Sequence, residues 1–288
     1  TGGIVITPIG LGHDYAFGIA IQNDGKIVAS GLAYGGSVWD SAVARYTSSG
    51  VLDSSFGPGG VVTTSVSAGH DLSRAVAIQP DGKIVAVGSA HDGHYNDFAL
   101  IRYTASGTLD TTFGTNGVVT TSVGPKGEAA YGVDFQEDGK IVIAGYVSNG
   151  THDDCAVARY TISGTLDTAF GTGGVVTTSI GTGSNAFQGI ALHKGRVVAA
   201  GYAIIDSSLD FVVARFTALG TLDNTFGLGG IVTTSVGPSS DAASGMAIQP
   251  DSDIVAVGYA FSSTSKDFAV VRYRSGYDST LPLLSKNH

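Results

Sequence analysis

The stretch "GTLDTAFGTGGVVTTSI", Gly164 to Ile180, decides the fold, because the chain writes it three times. It stands as "GTLDTTFGTNGVVTTSV" from Gly107 and as "GTLDNTFGLGGIVTTSV" from Gly220. A phrase copied within one chain is read as scaffold rather than as one asymmetric reaction centre. Working outward, the same spacing governs its surroundings. Gly25-Lys-Ile-Val recurs at Gly82 and Gly139, then as Gly195-Arg-Val-Val and Ser252-Asp-Ile-Val, in steps of 57, 57, 56 and 57 residues. Arg45, Arg102, Arg159, Arg215 and Arg272 keep these steps, as do Asp40, Asp97, Asp154, Asp210 and Asp267. Five units, 3–59, 60–116, 117–173, 174–229 and 230–288, fill nearly all of the 288 residues and leave no room for a second domain.

Each unit reads as four strands. In the second unit "RAVAIQ" alternates up to a "PDG" turn, "KIVAVG" follows, "DFALIRY" is β-branched and aromatic, and the phrase leads into "GVVTTSV", the outermost strand. No segment keeps a helical period. Four antiparallel strands repeated radially predict an all-β, five-bladed β-propeller. Crowding at the axis calls for small residues, so the strand carrying Gly18, Ala75, Gly132, Gly189 and Gly245 is taken as innermost. The chain starts within a unit at "GGIVIT", so residues 2–7 are expected to close the ring as the outer strand of the last blade.

Composition narrows the function classes. A net charge of -9 with no basic stripe speaks against nucleic acid as a partner. No apolar run reaches the roughly 18 residues that span a bilayer. Cys155 is the single cysteine, so no internal disulfide forms. The first residues carry no basic and apolar leader. A monomer is expected.

The run "LDTTFGTNGVV…QEDGKIVIAGY…DDCAVARY" resembles the delta-60 repeat, a tandem repeat of bacterial proteins that are often secreted or on the cell surface. The resemblance covers essentially the whole chain. It implies a repeat fold and an extracellular or cell-surface setting, and no catalytic residues. Two departures stand out: the fourth hairpin, "LHKGRVV", is one residue short, and the fifth unit puts Ser252 and Asp253 where Gly-Lys stands elsewhere. In the last unit Tyr277, Asp278 and Leu281 are a worn copy of the phrase.

The repeated Asp and Phe of the phrase (Asp110 and Phe113 in the second unit) are read as fold hardware. The repeated Arg needs an acid, either the Asp opening its strand or the Asp of the phrase; the pattern leaves both open. Variation concentrates in the loops of one face. They hold Tyr34, Trp39, His91, His94, Tyr95 and His152, and with Arg74 and Tyr131 these are the candidate ligand-binding residues. Asp14, Asp71, Glu128, Asn185 and Asp241 share one position. They would either hold a cation at the channel mouth through oxygen ligands or cap their own turns. No other cofactor is expected. Asp134 replaces an Ala of the other units, and with Glu128 it forms the candidate acid/base pair. "HDGHYND", His91 to Asp97, has a metal-like composition without the spacing of a known site.

Three functions follow from these features. The first is a non-enzymatic binding scaffold for a glycan or a surface protein. The second is a hydrolase or lyase at the channel mouth. The third is a structural module of a larger surface protein.

Overall fold

The computed structural model describes residues 2–262 and 264–275; Tyr277, Asp278 and Leu281 lie outside them. Among the described residues there is no helix, and the strands form five antiparallel sheets. The first is β1 (Asp14–Ile21), β2 (Ile27–Tyr34), β3 (Trp39–Tyr46) and β4 (Val61–Thr64). The second is β5 (Asp71–Ile78), β6 (Ile84–His91), β7 (Asn96–Tyr103) and β8 (Val118–Thr121). β9 (Glu128–Phe135), β10 (Ile141–Ser148), β11 (Asp153–Tyr160) and β12 (Val175–Thr178) form the third. β13 (Asn185–His193), β14 (Arg196–Ile205), β15 (Ser208–Phe216) and β16 (Ile231–Thr234) form the fourth. The fifth has three strands among the described residues, β17 (Asp241–Ile248), β18 (Ile254–Phe261) and β19 (Lys266–Tyr273).

The core is built between sheets rather than inside one. Four apolar slabs lie between consecutive sheets, first to fifth. Between the second and third, Val85, Val87, Phe98 and Leu100 meet Ile141, Ile143, Ala156 and Ala158. The innermost strands stack in chain order, β1 on β5, β5 on β9, β9 on β13 and β13 on β17, and no comparable packing joins β17 to β1. Small residues permit the approach: a Cβ on Gly18 would press on the Ala75 and Val76 backbone. Gly245, at the same position of the last sheet, meets only Val257 of its own sheet.

Residues 2–7 correct one expectation. They form no strand, and the last sheet has no fourth strand among the described residues. They lie against the first unit instead, where the Tyr46 hydroxyl donates to Thr7 Oγ1 at 2.8 Å. The same bond links Tyr103 to Thr64 and Tyr273 to Thr234 across interior junctions. The segment therefore sits where the outer strand of a preceding sheet would sit.

The repeated phrase is a clasp. Of the two acids left open, the Asp of the phrase takes the Arg: Arg45–Asp53, Arg102–Asp110, Arg159–Asp167 and Arg215–Asp223 pair at 2.8–2.9 Å. Each guanidinium also lies over the Phe of its phrase, 4.4–4.7 Å from the ring centre. It then donates to a carbonyl of the next unit, at Ala105, Ile162, Ala218 and Ser275 in turn. One side chain thus ties its own long connection to the following sheet.

Candidate functional site

All five innermost strands break register at one residue. Between Ala16 and Gly18 the pairing of β1 with β2 skips Phe17. The skipped residues of the other sheets are Arg74, Tyr131, Gln188 and Ser244. These are β-bulges, which free one residue from the ladder and re-aim its side chain. The glycine closing "KIVAVG" explains why they form. A Cβ on Gly31, Gly88, Gly145, Gly201 or Gly258 would collide with the carbonyl oxygen of Tyr15, Leu72, Ala129, Ala186 or Ala242. The invariant glycine in the second strand thus admits the bulge in the first.

The five bulged residues line one cavity of about 340 Å³, floored by Gly18, Ala75 and Val76. Arg74 dominates it. Its guanidinium carbon lies 4.5 Å from the Phe17 ring centre and 5.8 Å from that of Tyr131. Among the described residues it has neither a hydrogen bond nor a carboxylate partner. Burial raises the Tyr131 pKa, Arg74 draws it back in part, and Asp153 adds to the rise. Tyr146 packs on Tyr131 with ring centres 5.9 Å apart, and burial with the neighbouring Tyr131 and Asp153 pushes its pKa up to about 12. In the other direction Phe17 stacks on Tyr15 at 6.2 Å, Tyr15 meets Trp39 at 5.5 Å, and Trp39 meets Tyr34 at 5.2 Å. An aromatic track therefore runs from the loop face at Tyr34 and Trp39 to Arg74 in the cavity.

The structure brings Tyr34, Trp39, Arg74 and Tyr131 together along this track and leaves the other candidates apart. The His91–Tyr95 loop is organised around Asp92, which accepts from the N–H groups of His94 and Tyr95 at 2.7 and 2.8 Å. His91 Nδ1 accepts from Gly93. His152 is engaged with Asn149 and Asp154. Among the described residues no group of three His, Cys, Asp or Glu side chains converges as a metal site.

The acid ring is dispersed for the same local reason. Asp14 accepts from Ile9 and Gly10, Asp71 from Val66 and Ser67, Glu128 from Val123 and Gly124, and Asp241 from Val236 and Gly237. Asn185 serves its own turn and accepts from Cys155 N–H at 2.6 Å. These oxygens cap the turns that lead into the innermost strands. Asp134 and Glu128 are not a pair either. They sit near opposite ends of β9, opposite Val142 and Val147 of β10. Six residues of strand separate them, roughly 20 Å. Asp134 accepts from Phe135 N–H and, across the sheet junction, from Leu192 N–H, both at 2.8 Å. Burial raises its pKa against those two bonds.

Of the five bulged residues, Phe17, Gln188 and Ser244 are those that sequence reasoning missed. Each precedes the small residue of an innermost strand, and the signal was the fixed glycine one strand later.

Residues 22–56, 79–113, 136–170 and 195–226 match a family model described as a domain of unknown function (DUF5122) beta-propeller. Each match runs from the first hairpin to the phrase, or nearly so, and together they fit a β-propeller repeat family. The description does not name the delta-60 repeat. No curated protein matches the chain. Among solved structures, Drosophila Plexin A in complex with Semaphorin 1b is similar at 13% identity and a TM-score of 0.49, over 91% of this chain and 52% of that one. Extracellular domains 1-2 of Drosophila Semaphorin 1b align at 12% and 0.46, over the same shares. This chain thus spans about half the length of either. A thermostable family-43 glycoside hydrolase aligns at 12% and 0.47, over 94% of this chain and 93% of that one. Likeness at this level carries no argument about activity.

Proposed function

We propose that the protein is a binding scaffold, a secreted or cell-surface five-bladed propeller of delta-60 type formed as one domain, and that its ligand is an acidic glycan. One observation carries this reading: the Arg74 guanidinium lies in a cavity between Phe17 and Tyr131 with no carboxylate of its own. A guanidinium offers five donors in a planar fork that fits a carboxylate or sulfate group. The track from Tyr34 through Trp39 and Tyr15 supplies ring faces on which the C–H faces of sugar rings stack. The net charge of -9 disfavours indiscriminate binding of polyanions, nucleic acid included, so an anion is drawn by Arg74 locally. A second reading, a hydrolase or lyase at the channel mouth using Asp134, Glu128 and nearby His, has less to support it, because Asp134 and Glu128 sit near opposite ends of β9.

Calorimetry with a uronate oligosaccharide and a neutral one of equal length tests the proposal. The acidic ligand is expected to bind at least about 10-fold tighter, equivalent to about 1.4 kcal/mol. Arg74→Ala should erase that preference, and Trp39→Ala should weaken both ligands. Equal binding of the two sugars by the parent, or an unchanged preference in Arg74→Ala, would overturn it.

A further inference from the structure

Two departures from the repeat meet at one junction. The hairpin of the fourth unit is one residue short. His193 pairs directly with Arg196, so Lys194 and Gly195 make a two-residue turn, with φ of 49° and 73°. The hairpin of the fifth unit holds Ser252 where Gly25, Gly82, Gly139 and Gly195 stand in the others. Those glycines have φ of 73° to 83°, and Ser252 keeps the same left-handed conformation at 76°. A side chain is disfavoured there, and strained backbone of this kind gathers at sites that hold a side chain for chemistry.

His193 is a further replacement, since Gln22, Gln79, Gln136 and Gln249 hold its position in the other units. Across the junction of the fourth and fifth sheets, Ser252 Oγ lies 2.8 Å from His193 Nε2 and 2.9 Å from Lys194 Nζ. An ammonium only donates, so Lys194 takes a lone pair of Oγ and the hydroxyl hydrogen is left for the imidazole. A hydroxyl that donates to a base while facing a cation is an activated nucleophile. The same places at the other junctions hold Gln22 with Gly82, Gln79 with Gly139, and Gln136 with Gly195, which offer neither a hydroxyl nor a base. The three side chains line a cavity of about 240 Å³ that also has Val198, Ile248 and Ile254 among its described walls. It shares no residue with the Arg74 cavity.

We infer that Ser252 and His193 are a nucleophile and its base, and that this cavity hydrolyses carboxylic esters of a small acyl group. Val198, Ile248 and Ile254 take the apolar part of the acyl group. Ser252 Oγ bonds to the carbonyl carbon while its proton passes to His193 Nε2. The carbonyl electron pair becomes an oxyanion, which Lys194 beside Oγ stabilises. The oxyanion re-forms the carbonyl and expels the alcohol oxygen, which leaves with the proton from His193. Water then attacks the acyl-serine carbon and gives a proton to His193. Ser252 departs with that proton as the carboxylic acid is released. Ester and water are consumed, acid and alcohol are formed, and no other reactant is needed.

A fluorophosphonate probe, which phosphonylates activated serines with loss of fluoride, and p-nitrophenyl acetate test this on the full chain. The folded parent should carry the label on Ser252, located by peptide mass, and the heat-unfolded parent should not. His193→Gln and Ser252→Gly each put back the residue of the other units, so both should melt like the parent. His193→Gln should slow labelling and nitrophenol release at least about 100-fold, and Ser252→Gly should abolish the label. A parent unlabelled at Ser252, equal labelling of the unfolded chain, or an unchanged rate in His193→Gln overturns the inference. The glycan titration reports on other residues, so either reading can fail without the other.

Discussion

Arg102 shows how much one repeated residue does. It is 2% exposed, pairs with Asp110, covers Phe113 and donates to Ile162 of the next unit. Breaking such a pair leaves a buried charge and typically costs about 3–5 kcal/mol. Arg102→Ala and Asp110→Ala should each lose about that much in denaturant unfolding while ligand affinity stays unchanged. Burial alone would raise the Asp110 pKa, but the Thr112 hydroxyl and N–H, Lys83 and the Arg102 charge outweigh it and hold it down at about 2. Asp53 and Asp223 are lowered in the same setting. A folded pKa below the ordinary value of about 3.9 contributes stability that is full above that value and is lost as pH falls through the folded one. Unfolding monitored from pH 6 to pH 2 should therefore show a stability plateau and then a loss below about pH 4, a loss that Asp110→Ala makes smaller. The phrase was legible as scaffold, since its Asp and Phe recur in four units and cannot all share one asymmetric centre. The choice of acid was not, because both Asp series keep the same step. Antiparallel pairing settles it, with Asp110 N–H donating to the Arg102 carbonyl. The cavity was half legible. Arg74 and Tyr131 stood out by type, whereas a bulge leaves no mark at its own position. Gly145→Ala tests the link, since the added methyl has no room beside the Ala129 carbonyl. Overpacking of this kind costs about 1–3 kcal/mol, and here ligand affinity should fall with stability.

The last sheet departs from the pattern at the level of the element and mends itself. Asp253 takes the position of Lys26, Lys83, Lys140 and Arg196. In the first four units that base flanks the acid of the phrase, as Lys83 does at 3.2 Å from Asp110. In the fifth the hairpin itself supplies an acid, Asp253, which pairs with Arg272 at 2.9 Å and accepts from Ser275 N–H. From the sequence the change looked like decay of the repeat, because periodicity records identity and not pairing. Asp253→Lys would restore the common residue and place two cations together. It should lower hydrogen-exchange protection in β18 and β19 and leave β5 to β8 unchanged. Equal protection in both regions would mean that the Asp253–Arg272 pair contributes nothing. Three of the four strands were read well: "RAVAIQ", "KIVAVG" and "DFALIRY" fall in β5, β6 and β7, whereas the fourth, read as "GVVTTSV", is only the four residues of β8.

For the whole molecule, the repeat phase predicts a ring; among the described residues the innermost strands stack in chain order from β1 to β17, and no comparable packing joins β17 to β1. Phase gives the order of sheets but not the angle between neighbours, and the angle decides whether the last meets the first. Residues 2–7 lie in the place of an outer strand, and their tie to Tyr46 keeps them beside the first unit. Removing them uncovers the outer half of that face. A loss of about 2 kcal/mol would lower Tm by roughly 4–8 °C at this size, readable by calorimetry. An unchanged Tm would show that the segment is not docked in solution. Each sheet packs only on its neighbours, so unfolding should start at the ends and pass through partly melted species.

The bulge has a consequence for how such a protein diversifies. A bulged residue holds no place in the ladder, so exchanging it disturbs no strand pairing, while the glycine across from it stays fixed. Each duplication of a unit brings one more such position to the same cavity. Copies that begin alike can then drift to Phe17, Arg74, Tyr131, Gln188 and Ser244 one at a time, each step testing a new wall chemistry on an unchanged frame. A library randomised at these five codons should keep a high folded fraction and spread widely in ligand preference.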